Sequence, residues 1–392
     1  MTTTQPAHPA MVEDPPRQEQ PGPQPHIVDQ VFAWLWRHRL VLVLLAISAV
    51  YFLYNYVASP LKPGNFTPLG WHGWADQGHY LEEAKAIREW DLEHSVRYQY
   101  PMGYPLAGAP FVHLFPGDPF LPVNLASFLG VVGLFFATAY RWVGKPMALI
   151  GGLLLVLATP LTLLTFVPWT STIAVLTVTF WLYLVLGRQR ITYPMALILA
   201  LLVSWMYMAR GGGELVMLAP LGIATVWHFR REPGLIIKVA MAAAILAATV
   251  VLNAVWTHAL FHQWVHPYIR AVGKVGFSAH HIPRSLWGTV IYTGETGDWW
   301  PPLGTQAFWF VFAPFGMWLA VRRRDADLHV GYVLSLAVGV LITAAFANFD
   351  PTGVKFYCLH YLKLWFPGVA LYSMIAIRRL LDATPPGGLP RR

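Results

Sequence analysis

Cysteine is nearly missing: Cys358 is the single one among 392 residues. That excludes an intrachain disulfide framework and a cysteine-based metal site. Charge is also scarce. Asp, Glu, Lys and Arg make up 12% of the chain, against roughly 25% in an ordinary soluble domain. No P-loop, dinucleotide glycine fingerprint, HExxH helix or GxSxG elbow occurs, so a nucleotide-bound donor finds no support. The chain is also expected to have no cleavable signal peptide. Residues 1–30 are rich in Pro and Gln and have no apolar core, which predicts a disordered cytoplasmic tail.

What fills the chain instead is apolar sequence, 56% of it, with a mean hydropathy of +0.47. Runs near the 20 residues that cross a hydrocarbon core recur from end to end. They cover about 38–57, 120–140, 147–167, 170–186, 193–208, 214–229, 238–256, 306–321, 328–347 and 360–377. The expected fold is an all-α polytopic membrane bundle of about ten transmembrane helices over 31–380, with a cytoplasmic tail at 381–392. Charge orients it. Alternate connections carry Arg37 and Arg39, Arg141 and Lys145, Arg188 and Arg190, Arg230 and Arg231, Arg322 to Arg324, and Arg378 and Arg379. That is the positive-inside pattern, and it puts both termini in the cytoplasm. The net charge of +8 is thereby a topology signal and not the footprint of a nucleic-acid binder.

Two long loops fall outside, 59–119 and 257–305, and loops this long in a compact bundle are commonly functional. Their tryptophans (Trp71, Trp74, Trp90, Trp264, Trp287, Trp299, Trp300) suit the bilayer interface. The first loop holds Tyr80, Leu81, Ala84, Ile87 and Trp90 at helical spacing, with Glu82, Glu83, Lys85 and Glu89 on the other side. This predicts an interfacial helix on the outer leaflet. Asp76 stands directly before it, either as an N-cap or as a general base at the membrane surface. The run Tyr100-Pro101-Met102-Gly103-Tyr104-Pro105 is expected to be extended, because residues before proline are driven out of the helical region. It is either a rigid connector or a wall that presents Tyr100 and Tyr104 to a ligand.

Arg210-Gly211-Gly212-Gly213-Glu214 interrupts two apolar spans. Arg210 either snorkels to the interface or faces protein and water for a purpose. Lys355, His360 and Lys363 set three cations at the outer start of the last span, beside Tyr361; snorkelling in an aromatic belt is the plain alternative. His258, His262 and His266 recur every fourth residue, so a helix would stack them on one face. That spacing leaves a divalent metal open, but no carboxylate accompanies them, and the expectation is no metal and no cofactor.

Asp76-x-x-x-Tyr80-x-x-x-Ala84, followed by Tyr100-Pro101-Met102-Gly103-Tyr104-Pro105-Leu106, resembles the first outer loop of GT-C fold glycosyltransferases. The similarity is to the bacterial branch related to protein mannosyltransferases and the lipid A aminoarabinose transferase. The 210–214 turn resembles that family's basic-Gly/Pro-Glu-Gly turn, and 355–367 its Arg-Tyr…Pro motif. There His360 stands where Arg is usual and Lys363 where Pro often stands. The turn at 168–172, Pro-Trp-Thr-Ser-Thr, lacks the second acid that many relatives carry there. A partner acid would then come from Glu82, Glu83, Glu295 or Asp298.

The resemblance implies a glycosyltransferase of the bacterial cytoplasmic membrane, with its active site on the outer face. Its donor would be a polyprenyl-phosphate sugar, and its acceptor a lipid, a glycan or a protein. It implies Asp76 as the catalytic base and Arg210, Lys355, His360 and Lys363 as ligands of the donor phosphate. Tyr80, Glu83, Tyr100, Tyr104, Glu214 and Tyr361 would line the substrate cleft. Two other classes compete: a transporter or flippase of lipid-linked sugars, and a carrier-binding subunit without activity. A transporter would show ionisable residues near mid-membrane and internal repeats; the charges here sit at span ends and no repeat is evident.

Overall fold

Apolar periodicity becomes helix along the described residues. The computed structural model describes residues 27–58, 75–91, 93–158, 161, 165, 167–188, 190–290, 307–323, 325–346 and 361–383. These are 81% helical and contain no strand. Thirteen α-helices follow one another among them: α1 (Ile27–Ala58), α2 (Ala75–Glu89), α3 (Gly103–Gly108), α4 (Leu121–Leu157), α5 (Ser171–Val185), α6 (Tyr193–Arg210), α7 (Gly213–His228), α8 (Leu235–Phe261), α9 (Pro267–Val275), α10 (His281–Val290), α11 (Ala313–Ala320), α12 (Ala326–Ala345) and α13 (Phe366–Ala383). Lys355, His360, Glu295, Asp298, Trp71, Trp74 and the Trp299 to Pro302 run lie outside the described residues, as do the tails 1–26 and 384–392.

Among the described residues six helices are long and apolar enough to cross a membrane: α1 from His38, α4, α6, α8, α12 and the Lys363–Asp382 stretch. Ser171–Val185 and Phe308–Ala320 are shorter apolar helices. The 37-residue α4 is two arms. Gly144 has φ 80° and ψ 170°, a backbone that glycine reaches without a Cβ clash. Pro146 then opens the second arm, and a Cβ built on Gly151 would stand 3.2 Å from the Phe135 ring. The arms therefore lie side by side, as the separate spans at 120–140 and 147–167 require. Val43, Val50 and Val57 of α1, and Ile236, Val251 and Leu252 of α8, are exposed, the surface that a hydrocarbon solvent covers in a spanning helix. Thr177 and Thr179 bond their hydroxyls to the carbonyls of Ile173 and Val175 at 2.8 and 2.7 Å, so these two hydroxyls are satisfied within their own helix.

One end of the bundle carries the basic connections. Their guanidinium groups lie on aromatic rings: Arg141 and Arg188 on Tyr183, Arg230 on Trp227, Arg322 on Trp318 and Arg323 on Trp142, at 3.7–5.3 Å from the ring centres. Such pairs keep the cation at the interface while the ring stays in the apolar layer.

The opposite end is capped by α2, α3, α9 and α10. The apolar stripe of α2 is present as read from spacing, with Tyr80, Leu81, Ala84 and Ile87 buried, but it packs on protein. Ala86 and Ile87 meet Tyr98, Ala109 and Leu260. Trp90 is 70% exposed and has φ 58°, so it ends the helix instead of extending its buried face.

The extended Pro-x-Gly-x-Pro run is a point of correction. From Gly103 it is helical, with Pro105 the third residue of α3. The first N–H groups of a helix have no partner within it, so proline costs no hydrogen bond there. Packing supplies the rest. Trp205 Nε1 donates to the Gly103 carbonyl at 2.9 Å, and the Tyr104 ring stacks on Phe120 at 4.4 Å. A Cβ on Gly103 would come within 2.5 Å of the backbone at Met208 and Ala209, so α3 crosses α6 at a distance only glycine permits.

Candidate active site

Glycine turns and surface helices bring polar residues from five connections into one cavity of about 300 Å³ at the end opposite the arginine pairs. Asp76 and Tyr80 come from α2, and Tyr100 and Pro101 from the stretch before α3. Thr170 comes from the link into α5, Arg210 and Glu214 from the α6–α7 turn, Tyr268 from α9 and Tyr361 from the start of the last span. Phe277 and Phe346 close it, joined as an isolated bridge between the α9–α10 link and the end of α12.

Asp76 lies in the first turn of α2, and its Oδ1 accepts a short hydrogen bond from the Tyr100 hydroxyl. The carboxylate thus faces the cavity instead of serving only its own helix end. Tyr100 packs against Tyr80 at 4.9 Å and Tyr268 at 4.7 Å. Burial first, then the Asp76 carboxylate, pushes the Tyr80 and Tyr100 phenols above the usual tyrosine range. Tyr100 therefore remains a donor at any physiological pH.

Arg210 does not snorkel. Its side chain is 7% exposed; Nε donates to Glu214 Oε1 and Nη1 to Thr170 Oγ1 at 2.9 Å. The Tyr361 ring lies 4.9 Å from the guanidinium carbon. Gly211, at φ 77°, turns the chain so that a residue ending α6 and one opening α7 can pair. The acid-free turn at 168–172 thus contributes a hydroxyl to the cation, and the second carboxylate on the cavity is Glu214.

Of the residues read from sequence, Asp76, Tyr80, Tyr100, Arg210, Glu214 and Tyr361 line the cavity. Lys363 is buried with Nζ 3.3 Å from Thr172 Oγ1, next to the wall formed by the 168–172 turn. Tyr104 stands behind the wall, fully buried, with its hydroxyl donating to Asn124 Oδ1 at 2.9 Å. Glu83 also stands behind it. Its carboxylate accepts the backbone N–H groups of Gln99 and of Tyr100, and burial lifts its pKa well above the ordinary glutamate value against those two bonds. Glu82 is exposed and paired with Lys85 at 2.8 Å. Lys355 and His360 belong to the undescribed stretch.

The histidine repeat does not form a stripe. Helix α8 ends at Phe261, His262 is left-handed at φ 54°, and His266 caps α9. Among the described residues no three His, Cys, Asp or Glu side chains converge to hold a metal. Thr170 and Tyr268 were not legible as site residues. Tyr268 follows the Pro267 that opens an amphipathic helix, and that pattern was the available signal.

No protein-family model matches the chain, and no curated protein sequence does. Solved structures do. ArnT from Cupriavidus metallidurans bound to undecaprenyl phosphate superposes with a TM-score of 0.60 at 14% identity, over 87% of this chain and 60% of that one. ArnT in the apo state gives 0.53 at 14% identity, over 89% of this chain and 60% of that one. The archaeal oligosaccharyltransferase AglB from Archaeoglobus fulgidus, in complex with an inhibitory peptide and a dolichol-phosphate, gives 0.50 at 12%, over 91% and 53%. The chain thus spans about 60% of the length of the ArnT structures. Its all-helical architecture is the GT-C fold that ArnT and AglB share.

Proposed function

We propose that the protein transfers a sugar from a polyprenyl-phosphate carrier to a hydroxyl-bearing acceptor, a lipid, glycan or protein, at the outer face of the cytoplasmic membrane. The observation that carries this reading is the placement of Asp76 and Arg210, distant in sequence, on one cavity. Asp76 Oδ1 is held by Tyr100, which leaves Oδ2 to take the proton of the acceptor hydroxyl. That oxygen attacks the anomeric carbon, the bond from this carbon to the phosphate oxygen breaks, and the electron pair leaves with the polyprenyl phosphate. The displacement is direct, so the anomeric centre inverts.

Arg210 stabilises the leaving phosphate. A guanidinium has five N–H donors in a planar fork that matches phosphate oxygens; Glu214 and Thr170 take two of them. Lys363 adds charge beside the wall, and Lys355 or His360 is the further cation proposed for the phosphate. No metal enters this scheme, because the cations neutralise the leaving group. The fold adds support: one solved structure that shares it holds undecaprenyl phosphate.

The buried Glu214 beside Arg210 favours one competing reading, a carrier-binding subunit without activity, since it offsets the cation. Purified protein incubated with labelled polyprenyl-phosphate sugar and candidate acceptors separates the two. Wild type should release carrier phosphate and transfer label, Asp76→Asn should bind the donor without turnover, and Arg210→Ala should lose both. Turnover by Asp76→Asn at the wild-type rate would remove the catalytic assignment.

A further inference from the structure

A second chamber of about 170 Å³ lies beside the first, lined by Tyr207, Asn253, Trp264 and His266 among others. The two chambers share Pro101, Gly212 and Ile269 as a common wall. Gly212 keeps that wall thin: a Cβ built on it meets nothing within 4 Å.

The chemistry of this chamber differs from that of its neighbour. Among the described residues, none that lines it is charged at neutral pH. His266 is 9% exposed, and burial pushes its pKa down to about 4, so the ring is neutral. Its Nδ1 accepts the Tyr268 N–H at 3.2 Å. The ring proton therefore sits on Nε2, a donor with no partner among the described residues. The Tyr207 hydroxyl and the Asn253 side-chain amide likewise have no hydrogen-bond partner among them. Trp264 adds an aromatic face, fixed by His258 stacked on it at 4.2 Å. His266 is buried and Tyr207 and Asn253 are half-buried, and all three line one space of roughly ring size with hydrogen-bonding capacity unused among the described residues.

We infer that this chamber binds a single uncharged, hydroxyl-rich ring, a neutral monosaccharide unit, through His266 Nε2, Asn253 and Tyr207 with Trp264 as its stacking face. Neutral donors and acceptors match sugar hydroxyls without the desolvation that an ionised partner would demand. The absence of a carboxylate from the lining disfavours an amino sugar, and the absence of a cation disfavours a uronic acid. The ring can belong to the donor or to the acceptor. That it takes part in transfer rests on the transferase reading above; that it binds a neutral ring does not.

The test is ligand-observed NMR on the purified full-length protein with three methyl glycosides: a neutral pentose or hexose, an amino sugar and a uronic acid. Only the neutral glycosides should bind. His266→Ala and Asn253→Ala should each weaken them about fivefold to tenfold, the loss of one net hydrogen bond. Asn253→Asp should transfer the preference to the cationic amino sugar, a gain that a misfolded variant cannot show. Binding unchanged in the alanine variants, no binding to the wild type, or equal binding of charged glycosides would overturn the inference. Labelled-donor turnover run alongside keeps the two readings apart. Transfer that persists at the wild-type KM for donor and acceptor in both alanine variants refutes the chamber's part in transfer alone. Glycoside binding with no transfer from any donor refutes the transferase alone. A raised KM for the donor, or for the acceptor, identifies which of them supplies the ring.

Discussion

The Arg210–Glu214 pair can be dissected into its structural and its chemical role. Both side chains are almost fully buried, 7% and 6% exposed. Removing one partner of such a pair leaves a charge with no compensation, at a cost of about 3–5 kcal/mol. Arg210→Met and Glu214→Leu, each alone, should therefore lower the melting temperature in detergent by several degrees. Replacing both by apolar residues of similar volume removes both desolvation costs and is neutral or stabilising by ~1–4 kcal/mol. The double variant should melt at or above the wild-type temperature. Its turnover should nevertheless stay about 10²–10³-fold down, the loss expected when a placed electrostatic stabiliser is taken from a water-poor site. Melting read by intrinsic fluorescence and turnover read by release of labelled carrier phosphate give the two axes. A double variant that turns over like the wild type would refute the role of Arg210 at the phosphate. Single variants that melt like the wild type would refute the buried pairing.

Two further outcomes follow from the hydrogen bonds around Asp76. Tyr100→Phe removes the hydroxyl that holds the carboxylate; a bond to a charged group is worth about 1.5–3 kcal/mol, so turnover should fall roughly ten- to hundredfold with donor binding intact, and an unchanged turnover would separate Tyr100 from the chemistry. Glu83 gives a pH dependence of stability: its folded pKa is raised by burial, so its contribution is fully present below the unfolded glutamate value and fades as pH rises through the folded one. Melting temperature should drop over that interval in the wild type and be flat there in Glu83→Gln, and parallel curves for the two would contradict the assignment.

Much of the bundle was legible from the chain because its information is local. Apolar runs of membrane length and the alternation of arginine pairs are properties of contiguous residues, and the solvent that reads them is the bilayer. Even the Gly144 hairpin appears in sequence as two runs with Arg141 and Lys145 between them. The helical stripe of α2 was equally plain at Tyr80, Leu81, Ala84 and Ile87. Local rules misled where packing outweighed them. Pro101 and Pro105 argue for extended backbone, yet the ring contacts of Tyr104 and the Trp205 bond to Gly103 hold α3 helical. Likewise the four-residue spacing of His258, His262 and His266 implied one face, and the left-handed His262 breaks it.

The site itself divides along the same line. Asp76, Arg210 and Glu214 stand out in sequence because charge is rare in an apolar chain and costly in a membrane. Only the tertiary structure decided what each does: that Arg210 is buried against Glu214 and Thr170, that Asp76 is held by Tyr100, and that Glu83 supports the backbone behind the wall instead of lining the cleft. Thr170 and Asn253 carry no local signal, Tyr268 shows only in the amphipathic pattern after Pro267, and His266 shows only as one of three histidines at four-residue spacing. Their placement depends on helices far apart in the chain meeting at one end of the bundle. Hydropathy determined where the spanning helices fall, and long-range packing alone determined which side chains share a cavity.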